Sequence, residues 1–228
     1  MIDINAHVAE LNDRLDSAVR IIDATHSSQS AGAPLAMSSI SREARGLAVV
    51  LVFAAYENLM RTLTRALLEA AIKLRVSNRN LQPGFRAIAL VASAKSVKDL
   101  SEKKLFTHGL PRLIEAASLG GRECTIDANT FPDDGSFMKS TQILVWCDIF
   151  EIRNPQAILR RIWHTIDAVV SERNGVAHGR LTADEVGRNY SEAEIRQLVE
   201  NWRLDWTDFL QHVGFRASSR DFYRVPRH

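Results

Sequence analysis

The sequence predicts an all-α protein, a single helical bundle over residues 1–228 with an irregular insertion at about 120–145. Three observations carry that expectation. Apolar residues recur at three- and four-residue steps near the start of the chain. A long central stretch, LAVVLVFAAYENLMRTLTRALLEAAI, has neither proline nor glycine. A capping box, Ser191 with Glu194, opens a final segment with a wide apolar face.

Taken in order, Ile4, Val8, Leu11, Leu15, Val19 and Ile22 form one stripe, with Glu10, Asp13, Arg14 and Asp16 between them. That is an amphipathic helix. Ser27 to Ser38, rich in Ser, Gly and Ala with Pro34, reads as a loop. The longest helix is expected from about Ser41 to Val76. Its first half is apolar nearly all round, which places it at the centre of a bundle or at a subunit interface. Glu57 and Arg61 stand at i, i+4 on it and can pair. A shorter helix is expected from about Pro83 to Leu100, and another after Pro111. The insertion that follows (Gly120-Gly121, Pro132, Asp133-Asp134-Gly135) could hold a small hairpin. Thr141 to Phe150 suits strand or helix. Asn154-Pro155 starts a helix from Gln156 to about Val170. The last helix presents Ile195, Leu198, Val199, Trp202, Trp206, Phe209, Leu210 and Val213 to the core.

Composition narrows the function classes. The chain is 46% hydrophobic and 25% charged, ordinary for a globular protein, and its net charge of +2 is no polybasic signature. Its cations are 23 arginines and 6 lysines, and arginine's planar fork suits phosphate and carboxylate. Cys124 and Cys147 lie 23 residues apart with no zinc-type spacing, so a reducing compartment is expected. The N-terminus has no basic segment leading into an apolar one, and the most apolar run, Leu47 to Tyr56, spans 10 residues. A membrane crossing needs about 20. The sequence reads as a cytoplasmic protein with no membrane partner. No H-E-x-x-H, P-loop or G-x-G-x-x-G is present, and no metal or cofactor is expected.

One segment carries chemistry: Ser171-Glu172-Arg173-Asn174-Gly175-Val176-Ala177-His178-Gly179. Arginine followed five residues later by histidine is expected about 0.7 times by chance in this composition. Its context is more specific. R-N-x-x-A-H-G follows an amphipathic helix, and the long apolar helix bearing Y-E-N lies about 115 residues upstream. In these features the chain resembles the HEPN superfamily, whose ribonuclease branch carries R-x4-H, often written R-N-x-x-x-H. The segment LVFAAYENLMRTL is similar to the helix preceding the motif in the RiboL-PSP type. The resemblance covers about Ser41–Leu74 and Ile158–Val213. It implies an α-bundle that dimerises with two R-x4-H segments face to face and cleaves RNA without metal. A branch of the family has tyrosine two residues after the histidine, the target of a nucleotidyltransferase antitoxin. Here that residue is Arg180, which adds positive charge beside the site.

The residue types suit the reaction. A histidine handles protons near neutral pH, and a guanidinium fork binds non-bridging phosphate oxygens. On an ideal helix Asn174 and His178 share a face, so the amide can orient the imidazole or the RNA. Arg173 and His178 stand about 140° apart. The arginine wraps that arc, or Gly175 loosens the turn, or Arg173 acts on the partner's histidine. Alternatively, Arg173 is a surface salt-bridge residue and Gly175 caps the helix C-terminus. Glu57 pairs with Arg61 or, as the resemblance implies, orients Arg173. His7, His26, His108, His164, His212 and His228 belong to no pattern, and Trp163, Trp202 and Trp206 read as core. The expected function is a metal-independent endoribonuclease of a toxin–antitoxin or antiphage-defence system. It attacks RNA as a homodimer and has an antitoxin or defence partner protein. The alternative is a non-catalytic HEPN-like helical module that binds RNA or a protein.

Overall fold

The computed structural model describes residues 2–26, 39–118, 120, 123–130 and 138–226. Among them every regular element is helical, and strand-like pairing is limited to an isolated antiparallel bridge between Leu81 and Arg224. The protein is all-α, as the periodicity predicts.

Three long helices frame it: α1 (Ile4–His26), α2 (Ser39–Lys73) and α11 (Glu192–Ala217). The α1 stripe buries Leu11, Leu15, Ala18 and Ile22. At the start of α11, Ser191 Oγ accepts from the Glu194 amide (3.2 Å) while Glu194 Oε2 accepts from the Ser191 amide (2.6 Å). That is the reciprocal capping expected of this sequence pair. All eight apolar residues expected on the core face of α11 are buried.

α2 is the central helix, touching α1, α11, the helix that carries the motif and the short helix after it. Its length and composition alone would allow a membrane crossing, yet 61% of its apolar window is buried inside the bundle. Tyr56 stacks on Trp206 at 4.8 Å between ring centroids and meets Trp202 edge-on at 5.3 Å. Burying rings of this size stabilises by about 2 kcal/mol each. Little of the apolar surface of α2 is left for another subunit; Ile40 (62% exposed), Leu47 (44%) and Ile72 (38%) are its large apolar side chains still in solvent.

Between α2 and α11 run shorter helices: α3 (Pro83–Ala89), α4 (Val91–Val97), α5 (Glu102–Lys104), α6 (Leu110–Ser118), α7 (Ser140–Ile149), α8 (Pro155–Ile158), α9 (Ile166–Ala177) and α10 (Ala183–Gly187). Several depart from expectation. The helix expected over Pro83–Leu100 is divided at Leu90, where the Thr125 hydroxyl donates to the Ala89 carbonyl (2.7 Å) and a side chain thus enters the helix ladder. Thr141–Phe150 is a helix. It begins at Ser140, whose amide and hydroxyl both donate to the Asp167 carboxylate (2.7 and 2.9 Å), so the insertion is shorter than expected. The hairpin expected there falls largely on residues outside those described, as does the Ser27–Ser38 loop; residues 123–130 contain no strand.

The helix expected over Gln156–Val170 is broken. α8 stops at Ile158 and α9 starts at Ile166. A fully buried carboxylate on α11 explains the break. Asp205 Oδ2 accepts from the backbone amides of Arg161 (2.7 Å) and Ile162 (3.1 Å), and Oδ1 pairs with the Arg161 guanidinium. Those amides are thereby satisfied outside a helix ladder.

Candidate functional site

α9 ends in a Schellman turn. The Gly179 amide donates to the Val176 carbonyl (3.1 Å) and the Arg180 amide to the Gly175 carbonyl (2.8 Å). Gly179 takes φ +67°, the left-handed step that follows such a cap and that glycine adopts without a Cβ penalty. The C-cap expectation at Gly175 is therefore corrected: Gly179 ends the helix. Gly175 lies within α9, and a Cβ there would meet Leu181 Cδ1 at 2.6 Å. Its smallness makes room for Leu181 and does not loosen the helix.

The two motif residues sit in unlike surroundings. Arg173 is held on three sides. Its Nη2 lies 3.6 Å from Glu57 Oε2, its Nη1 donates to Asn174 Oδ1 (3.0 Å), and its guanidinium carbon is 4.5 Å above the Phe53 ring. Each contact is weak, on the order of 0.5–1 kcal/mol, but together they set the fork's direction. His178 is the exposed cap residue. Its backbone amide donates to the Asn174 carbonyl (3.1 Å), and its imidazole makes no hydrogen bond among the described residues. Within one chain Asn174 thus engages the arginine, not the imidazole. Arg61 donates to Asn58 Oδ1 (3.1 Å) and forms no ion pair among the described residues, so Glu57 faces Arg173 and not its helical neighbour. Arg180 is exposed and likewise has no ion pair among them.

The segment after the turn is fixed to α2 by backbone approach. A Cβ on Gly46 would stand 1.9 Å from the Ala183 carbonyl oxygen, and one on Gly187 1.8 Å from that of Arg42. Arg42 Nε pairs with Asp184 (2.6 Å), Arg45 Nε donates to the Gly187 carbonyl (3.1 Å), and Thr182 caps α10. The Arg42 hydrogen bond, then that of Arg188, holds the Asp184 carboxyl below the usual aspartate range. On the far side of α9, Glu172 accepts from the Tyr190 hydroxyl (2.6 Å) and the Asn189 amide (3.3 Å). Burial, then Glu172, raises the Tyr190 phenol above its ordinary value. The motif is thus bracketed by α2 at Glu57 before it and at Gly46 after it.

Two open grooves flank this site. One, of about 470 Å³, is lined by Lys139, Ser171, Asn174, Gly175, Arg180 and Leu181. The other, of about 340 Å³, is lined by Arg14, Ala54, Glu57, Asn58 and Arg61. In the second, the Arg14 hydrogen bond holds the Glu10 carboxyl below its usual range. Burial pushes the Cys147 thiol up to about 12, which leaves it a packing residue, not a nucleophile. Among the described residues no three His, Cys, Asp or Glu side chains converge as a metal ion would require. His164 is exposed, and Trp202 and Trp206 are core.

Sequence reasoning missed Phe53, Gly46, Gly187, Asp184 and Asp205. Phe53 had a signal, standing four residues before Glu57 and hence on its face of α2. Gly46 had one too, as a glycine in the interior of a long helix, which usually marks close packing. Asp205 had none; it reads as one more charge between Leu204 and Trp206. Comparison with known proteins returns no match, whether with a family model, a curated protein or a solved structure.

Proposed function

We propose that this chain is a metal-independent endoribonuclease of the HEPN type that acts as a cytoplasmic homodimer in a toxin–antitoxin or antiphage-defence system. One observation carries the reading: a guanidinium fork pre-set by Glu57, Phe53 and Asn174 stands on the same helix end as an imidazole that makes no hydrogen bond among the described residues. In the proposed step the ribose 2′-oxygen attacks phosphorus as His178 takes its proton. The bond to the 5′-oxygen breaks, and that oxygen receives a proton from the partner subunit's His178. The products are a 2′,3′-cyclic phosphate and a 5′-hydroxyl end. Arg173 stabilises charge on the non-bridging oxygens. A single chain brings one motif histidine, so base and acid come from two copies related by a two-fold axis.

A binding-only helical module is the second reading. The contact of Arg173 with Glu57 and Phe53 favours it, because a residue joining α9 to α2 has a structural use without chemistry.

Purified protein incubated with RNA separates the two. His178→Ala should lower cleavage by about 10³-fold and leave helical circular dichroism and melting nearly unchanged. Arg173→Ala should abolish cleavage at a stability cost of about 1 kcal/mol. Activity should persist in EDTA, and adding His178→Ala chains to wild type should lower it more steeply than dilution does. Intact RNA, or activity lost to chelator and restored by magnesium, refutes the mechanism. A fully active monomer in sedimentation refutes the shared site.

A further inference from the structure

The groove on the Asn174 side has an unusual lining. Its lining residues with polar side chains are Lys139, Arg180, Ser171 and Asn174, and among the described residues no aspartate or glutamate joins them. Lys139 and Arg180 make no ion pair among the described residues. Asn174 Oδ1 already accepts from Arg173, and its Nδ2 donor makes no hydrogen bond among the described residues. Among the described residues the groove therefore offers donors and positive charge with no carboxylate paired to them. Such a surface attracts anions.

Its construction fixes where those donors stand. Lys139 comes from outside the motif, one residue before α7, and the Asp167 carboxylate of α9 ties down the neighbouring Ser140. Arg180 is placed by the turn that ends α9, through the hydrogen bond its backbone amide donates to the Gly175 carbonyl. Leu181, 38% exposed, supplies an apolar wall. The groove is open to solvent, with a volume of about 470 Å³, so it does not enclose a small molecule on all sides.

We propose that this groove seats the phosphodiester backbone of single-stranded RNA next to the bond cleaved, with Lys139 and Arg180 each neutralising one phosphate. The identity of the polyanion as RNA rests on the ribonuclease reading; the choice of a polyanion rests on the lining. Leu181 meets a sugar or base face, and Asn174 joins the groove to the arginine that holds the reacting phosphate.

The test uses the full chain carrying His178→Ala, so that bound RNA stays intact, and a short fluorescent oligouridylate as probe. Affinity is measured across a range of salt. Each single-strand phosphate contact contributes about 0.7 to the slope of log affinity against log salt. Lys139→Ala and Arg180→Ala should each reduce the slope by about that amount and weaken binding several-fold, and Lys139→Arg should restore both. Lys103→Ala, on α5, should change neither. Slopes and affinities unchanged by both alanine substitutions overturn the groove, as does failure of the probe to bind. Wild-type protein is assayed separately for cleavage of the same probe. Binding with the expected slope changes but no cleavage removes the ribonuclease reading and leaves the groove standing. Cleavage with unaltered slopes removes the groove and leaves the ribonuclease reading.

Discussion

The motif end of the bundle and the flank made by α4 to α6 are both helical, but they are held in different ways. At the motif end, α9 and α10 are tied to α2 by backbone approach at Gly46 and Gly187, by the Arg42–Asp184 pair and by the Arg173 contacts. In the flank, α4, α5 and α6 bury no side chain, and Phe106 (63%) and Ile114 (65%) stand in solvent. Amphipathic patterning is enough to make a helix, but tertiary contacts are what give its side chains fixed positions. Chemistry that depends on placement within fractions of an ångström belongs to the braced end.

The sharpest way to break that contrast is at Asp205. Asp205→Ala removes the acceptor of the part-buried Arg161 amide and leaves the buried Ile162 amide only its 3.2 Å bond to the Leu159 carbonyl and the Arg161 guanidinium only Asp208, at 3.6 Å. It should cost about 3 kcal/mol in urea denaturation; a loss below about 1 kcal/mol would show that the segment before α9 holds itself. Gly187→Ala should cost about 2 kcal/mol, since its neighbour is a backbone carbonyl that cannot step aside. On the proposed ribonuclease function it should also lower cleavage, by displacing the turn after His178. Gly214→Ala, which faces the Ile4 side chain, should cost less, and equal costs would argue against a backbone clamp.

A smaller effect follows from Asp184. Its carboxyl titrates lower in the folded chain than in the unfolded one, so its stabilising contribution is present above the ordinary aspartate value and is lost as pH falls through the folded value. Below about pH 4 the stability gap between wild type and Asp184→Asn should therefore narrow. A gap constant from neutral pH to pH 3 contradicts this. Least of all, Ile114→Ser should change stability by less than about 0.5 kcal/mol; a larger loss would mean the flank packs more tightly than its exposure indicates.

What the sequence made legible was whatever depends on near neighbours. The α11 capping box lies within four residues, and the α1 and α11 stripes follow from the helical period alone. The features that escaped depend on tertiary packing, in most cases with partners far along the chain. The break before α9 is set by Asp205, 43 residues beyond Ile162. Glu57 had a nearby candidate in Arg61 and a distant one in Arg173, and the packing of α9 on α2 decided between them. Two glycines, Gly175 and Gly179, were each able to end α9. The choice followed from Leu181 filling the space beside Gly175, which no local rule contains. As for the site, residue types and spacing named the motif, while the floor under Arg173 and the clamp behind His178 came from the fold.

Gly179 has a consequence of its own. Among the described residues, no atom beyond the glycine and its two chain neighbours lies within 4 Å of where a side chain on it would begin, so crowding is not what demands glycine there. The demand is one of chirality. At φ +67° an amino acid of the natural hand is strained, whereas its mirror image finds that angle among its preferred ones. A semisynthetic chain with D-alanine at this position should keep the turn and have fewer unfolded conformations than glycine allows. The imidazole of His178 is thus positioned by the residue after it, which must step against the hand of the rest of the chain.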